Sequence, residues 1–272
     1  MNAKTRTLAA AALAAAAAMA AGAETMKTKW GEAVTPENAW REYPRPQMVR
    51  GKWTCLNGLW DYAITKATGD VRRPAKPDGK ILVPFALEAP LSGCGGRLLK
   101  PDELLWYTRT LELDPKPGER ILLHFGAVDY MATVMLGHDE VMSAPHCGGN
   151  LPFTVDLTPF AKKGANTLTV IVWDPTEDFV QTRGKQAFKT HGCFYTRSSG
   201  IWQTVWLETV PEKYIADYNV TPDIDKGEAT FTFDVAGLGY ADAGMFGPDK
   251  GKIEIYDGGE CIACEKFLPG RP

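Results

Sequence analysis

HCGGNLPFTVDLTPFAKKGANTLTVIVWDP, residues 146–175, holds a Gly-Gly turn, an alternating stretch, a short helical stop and a second alternating stretch closing on Trp173-Asp174-Pro175. Alternation with a period of two is the mark of a strand that buries one face. Gly148-Gly149 and Gly164-Ala-Asn166 supply the turn chemistry between such strands. Thr158 followed by Pro159 predicts an N-cap and a first helical position, enough for one helical turn. Nothing in the segment pairs a nucleophile with a base, cradles a phosphate or cages a metal. Its pattern is that of a β wall, with one carboxylate, Asp174, at a strand end where it can reach a ligand.

The same alternation recurs outward from this stretch, and long 3.6-period helices are absent. Residues 59–64, 120–125, 132–136, 153–157, 167–173, 201–208 and 229–235 read as short strands, punctuated by Asn57-Gly58 and Pro117-Gly118. Many short strands with such turns predict an all-β jelly roll or sandwich. Trp60, Trp173, Trp202 and Trp206 fall within strand patterns and are expected in the core; Trp202 and Trp206, four apart, are expected on one face of one strand. Residues 24–50 are proline-rich and irregular, as in a strap over a domain surface. A boundary is expected near Pro211, giving a jelly roll over 51–211 and a second unit over 212–272. That second unit has good strands only at 214–220, 229–235 and 252–256. A seven-stranded immunoglobulin-like sandwich needs more, so an incomplete immunoglobulin-like β-sandwich is expected there.

The N-terminus reads differently. Lys4 and Arg6, the Ala/Leu run from Leu8 to Met19 and Ala21-Gly22-Ala23 have the layout of a signal peptide, residues 1–23, so export to the periplasm or exterior is expected. Cleavage after Ala23 removes both basic residues and moves the net charge from −3 to −5. A mildly acidic chain without a basic run argues against nucleic acid as a partner, and no other stretch is long enough to span a membrane. In an exported chain the six cysteines allow disulfides, one candidate joining the loops of Cys147 and Cys193. The His146-Cys147 and His191-Gly-Cys193 pairs lack zinc-site spacing, so neither a metal nor another cofactor is expected. Cys261-Ile-Ala-Cys264 lacks the βαβ context of a redox motif and reads as two thiols on one β segment.

Candidate chemistry narrows to a few side chains. Asp174, Glu177 and Asp178 cluster after one strand; the cluster reads as an acidic loop, with Asp174 the candidate substrate-binding residue. Arg197, before the strand at 201, has the option of pairing with a carboxylate such as Asp174 or of facing a neighbouring domain.

The order of motifs resembles the N-terminal sugar-binding domain of glycoside hydrolase family 2. The resemblance rests on Leu56-Asn-Gly-Leu-Trp-Asp61, Ile81-Leu-Val-Pro84, Glu88-Ala-Pro-Leu-Ser-Gly93, Leu105-Trp-Tyr-Thr-Arg109 and Phe125-Gly-Ala-Val-Asp129. It continues through His146-Cys-Gly-Gly149, Gly164-Ala-Asn-Thr-Leu168, Val172-Trp-Asp-Pro175 and Ser199-Gly-Ile-Trp-Gln-Thr-Val205. Leu136-Gly-His138, Thr108 and Gln203 depart from the family pattern. The resemblance implies the N-terminal portion of a retaining exo-β-glycosidase acting on a β-glycoside, with this domain forming one wall of the sugar pocket. In that family both catalytic glutamates lie in a (β/α)₈ barrel, and the acid/base glutamate follows an asparagine. No Asn-Glu dipeptide occurs here, and a barrel needs about 250 residues of its own. The chain by itself is therefore expected to be inactive. A free-standing carbohydrate-binding module and a purely structural β module are the competing classes.

Overall fold

The computed structural model describes residues 27–68, 72–237 and 251–267; the expected signal peptide lies outside them. After one helical turn, α1 (Lys29–Glu32), the regular structure of the described residues is β apart from a 3-10 turn at Pro90–Ser92. The longer strands of the first unit are β1 (Trp53–Cys55), β2 (Gly58–Lys66), β3 (Gly79–Val83), β4 (Glu103–Leu113) and β5 (Glu119–Phe125). A two-residue strand, β6 (Val128–Asp129), precedes β7 (Met131–Leu136), and β8 (Asp139–Glu140) and β9 (His146–Cys147) precede β10 (Phe153–Asp156) and β11 (Gly164–Trp173). Three more short pieces, β12 (Gln186–Ala187), β13 (Tyr195–Thr196) and β14 (Gly200–Ile201), lead to β15 (Val205–Pro211).

Two sheets make the sandwich. One runs β1-β15-β5-β10; the other runs β3-β2-β4-β11-β7-β8, with β9 also pairing β7. The long antiparallel ladder of β4 and β11, from Gly164↔Leu113 to Val172↔Leu105, is the spine of the larger sheet. Alternate residues of that spine, Leu105, Tyr107, Leu111, Leu168, Val170 and Val172, are buried between the sheets with Leu123, Phe125 and Val155 from the other side. Each fully buried side chain of this size contributes roughly 1.5–3 kcal/mol, so the apolar alternation dictates the register.

Three local expectations fail for definable reasons. β4 does not stand out in the sequence as a strand, because Leu104–Tyr107 is apolar on both faces; Trp106 is buried on the far side, its Nε1 donating to Thr65 Oγ1 at 2.8 Å. The expected strand at 201–208 is broken into β14 and β15. Here the buried Asn57 amide replaces the ladder: Val205 N–H donates to Asn57 Oδ1 at 3.0 Å, and Asn57 Nδ2 donates to Thr204 Oγ1 at 3.2 Å. Trp206 is then a core residue, whereas Trp202 is half-buried and donates to Gly149 O at 2.6 Å. Thr158 does not cap its turn. Its hydroxyl accepts from Ile121 N–H at 2.9 Å across the sheet, and Asp156 Oδ1 takes the Thr158 N–H.

Beyond Pro211 the described residues form two separate hairpins. β16 (Tyr214–Asp223) pairs β17 (Glu228–Ala236), and β18 (Gly251–Asp257) pairs β19 (Glu260–Phe267). Phe231, Ile253, Ile255 and Ala263 line an apolar groove between them. All six cysteines are free thiols. The candidate bridge between Cys147 and Cys193 is not formed, each thiol lying exposed on its own segment.

Candidate functional site at the loop end of the jelly roll

Glu88, Asp129, Asp174 and Arg197 are drawn together from four separate segments. Asp174 directly follows β11, Asp129 ends β6, Arg197 precedes β14, and Glu88 lies on the loop after β3. The expected site residue, Asp174, is sealed, at 1% exposure. Its Oδ1 accepts from Thr176 N–H at 2.9 Å and Gln181 Nε2 at 2.9 Å, and its Oδ2 accepts from Ser199 Oγ at 2.7 Å. An Asx-type turn of this kind orders the loop that follows. Asp174 therefore stands behind the surface with both oxygens engaged, not at the surface facing a ligand.

Arg197 is equally buried and pairs with a different carboxylate from the one anticipated. Its Nε lies 3.8 Å from Glu88 Oε1, its Nη1 donates to Thr176 Oγ1 at 3.3 Å, and its guanidinium sits 4.2 Å from the Phe188 ring centre. Glu88 ties two loops together, accepting from Ser199 N–H at 2.8 Å and Leu99 N–H at 3.3 Å. Burial raises its pKa against the lowering effect of those bonds.

Asp129 differs from the others. It is 5% exposed, its Oδ2 accepts from Gln186 Nε2 at 3.2 Å, and its Oδ1 has no hydrogen-bond partner. Burial, reinforced by the neighbouring Asp174 charge, pushes its pKa up to about 7. Gly149 explains how the chain passes this carboxylate: a Cβ there would lie 2.2 Å from Asp129 Oδ1. The Gly148-Gly149 turn is thus required for close approach to Asp129, and Trp202 pins it through the Gly149 carbonyl. Around this end Tyr130, Trp173 and Phe179 form an aromatic group, with centroid distances of 6.5 Å for Tyr130–Phe179 and 5.3 Å for Trp173–Phe179. Phe179 and Tyr195 are about half exposed. The exposed aromatic rings supply the apolar face a sugar ring packs on, and the carboxyl of raised pKa lies beneath them under the Gly148-Gly149 turn.

Glu177 is spent on the loop, accepting from Phe188 N–H at 2.6 Å. Sequence reasoning missed Asp129, Glu88 and Gln186 as site residues. The one signal for Asp129 was a lone carboxylate between Val128 and Tyr130 at the end of an apolar run. Among the described residues no group of three or more His, Cys, Asp or Glu is arranged to hold a metal, and no helix is long and apolar enough to cross a membrane. A second hydroxyl–imidazole–carboxylate line, Thr154–His124–Glu208, has His124 Nδ1 2.7 Å from Thr154 Oγ1 and Nε2 3.3 Å from Glu208. There the carboxylate is occupied by Tyr43 and Arg45, and burial lowers the imidazole pKa, so it makes a poor base.

No protein-family model matches the chain. Curated relatives do: the β-glucuronidase of Canis lupus familiaris is 26% identical over 244 residues, covering 79% of this chain and 36% of that protein. The Rattus norvegicus β-glucuronidase is 25% identical over 205 residues, covering 63% and 31%. The chain resembles the N-terminal region of family 2 glycoside hydrolases. It spans about a third of the length of these two family 2 relatives. Solved family 2 structures share the fold. The Faecalibacterium prausnitzii β-glucuronidase superposes with a TM-score of 0.60 at 23% identity, covering 84% of this chain and 41% of that one. A Ruminococcus gnavus β-glucuronidase in complex with D-glucuronic acid gives 0.58 at 20% identity, covering 84% and 40%.

Proposed function

We propose that the chain is the N-terminal, non-catalytic portion of an exported family 2 glycosidase that hydrolyses a β-glucuronide with retention. The match to β-glucuronidases over most of this chain carries the reading. Residues 1–23 direct export, 24–50 form a strap, 51–211 the sugar-binding jelly roll and 212–272 part of an immunoglobulin-like unit. The catalytic glutamates of such an enzyme belong to a barrel, one attacking the anomeric carbon while the other protonates the leaving oxygen. The loop end of the jelly roll packs beside that barrel as one wall of the pocket. Asp129 lies just beneath that wall under the Gly148-Gly149 turn, and Asp174 serves substrate binding from behind by holding the 175–181 loop and Ser199 in place. This fragment alone is inactive.

Two tests decide the reading. The first is the reading frame beyond the codon for Pro272: continuation into a barrel with an Asn-Glu dipeptide supports it, and a stop codon there overturns it. The second is kinetic. In the full-length enzyme with an aryl β-glucuronide, Asp174→Ala raises KM or lowers kcat by roughly tenfold, because the 175–181 loop and Ser199 lose the carboxylate that holds them. Unchanged kinetics remove Asp174 from any part in substrate binding.

A further inference from the structure

Glu208 lies on β15 with its side chain fully buried, and three residues of the 40–50 segment converge on it. Tyr43 Oη donates to Oε1 at 2.5 Å, and Arg45 Nη2 reaches Oε1 and Oε2 at 2.7 and 2.8 Å. Arg50 Nε stands 3.4 Å from Oε2. The same Arg50 turns its Nη2 the other way, donating to Ile215 O on β16, with its guanidinium 5.7 Å from the Tyr214 ring. A second tie runs back from the hairpin, where Tyr218 Oη donates to Gln47 O at 2.7 Å.

Those ties matter because, among the described residues, β16 and β17 pair only with each other. Two residues, Glu212 and Lys213, connect β15 to β16. An isolated two-stranded hairpin is marginal in water and persists when docked on something else. We infer that the 40–50 segment is a splint: through Arg50 and Gln47 it fixes the β16–β17 hairpin against the jelly roll, with the Glu208 carboxylate as its anchor point. Arg50 suits the role because a guanidinium is a rigid fork that can bond a carboxylate and a carbonyl at once. This inference stands apart from the proposed function, for it concerns only contacts within the described chain.

Hydrogen exchange read by mass spectrometry on the full chain tests it. In Arg50→Ala, peptides covering 40–50 and 214–223 exchange roughly tenfold faster, while β4 and β11 keep wild-type rates. Tyr218→Phe, which removes one hydroxyl and no buried group, gives the same pattern at smaller amplitude. Wild-type exchange in 214–223 for a folded Arg50→Ala protein overturns the inference. If Arg50→Ala loses protection in β4 and β11 as well, Tyr218→Phe decides: unchanged 214–223 overturns the splint, and faster exchange confined to 40–50 and 214–223 supports it.

Discussion

Glu208 and Asp129 are both removed from water, yet their acidities move in opposite directions. Burial pushes each carboxyl up. Around Glu208 that effect is outweighed by hydrogen bonds from His124, Tyr43, Arg45 and Trp206, which hold its pKa well below the ordinary carboxylate range. Around Asp129 the one bonding partner is a neutral amide and the nearest charge that matters is another carboxylate, so its pKa rises to about 7. Neighbours, not depth, decide whether a buried acid is a joint or a reactive group. The first centre is neutralised on all sides and joins chain segments. The second keeps a buried oxygen without a hydrogen-bond partner at the end of the fold where the loops gather.

Breaking the joint has the largest expected effect. Glu208→Ala leaves Arg45 and Arg50 facing one another without their counter-charge, at a cost of about 5 kcal/mol in urea unfolding at pH 7. An effect below 1 kcal/mol would mean that solvent neutralises the arginines and that the two centres are more alike than their surroundings suggest.

Asp129→Asn gives a smaller effect of opposite sign. The folded chain keeps the Asp129 proton up to about pH 7, whereas the unfolded chain releases it near the usual 3.8. Stability therefore falls as pH rises between those values and is level above them, a loss of at most about 4 kcal/mol for a shift of this size. The asparagine variant has nothing to ionise, so its stability profile between pH 4.5 and 8 is flatter and it is the more stable protein at pH 8. Denaturant melts at the two pH values read this directly, and a variant with the wild-type slope assigns the slope to another group.

Gly149→Ala sharpens the same contrast with the smallest effect, about 1–2 kcal/mol, since the added methyl forces the Asp129 carboxylate to move. A thermal melt checks the cost. The fluorescence of Trp202, which bonds the Gly149 carbonyl, should change with it.

Much of the sandwich is readable in the chain because alternation is a one-dimensional record of which face is buried. β2, β7, β10 and β11 all carry it. β4 escapes because Trp106 is covered on the outer side, which erases the polar half of the pattern. The break between Ile201 and Val205 escapes because its cause, the Asn57 amide, is 148 residues away from Val205 in sequence. The site is less legible still. Asp174 is visible as a carboxylate at a strand end, but the saturation of its oxygens depends on Ser199 and Gln181, which only the fold brings near. Glu208, within an apolar strand, reads as an outward-facing charge. Its burial requires Tyr43, Arg45 and Arg50 to arrive from far upstream.

That distance bears on the order in which the molecule assembles. Tyr43 and Glu208 lie 165 residues apart, so the 40–50 segment has no anchor until β15 has been made. At roughly 5–20 residues per second this is a delay on the order of ten seconds or more. Closing so long a loop repays its entropy only after the sheet that carries Glu208 has formed. The 40–50 segment thus seats only after β15 has formed, and until then a newly made chain keeps Arg45 and Arg50 solvated.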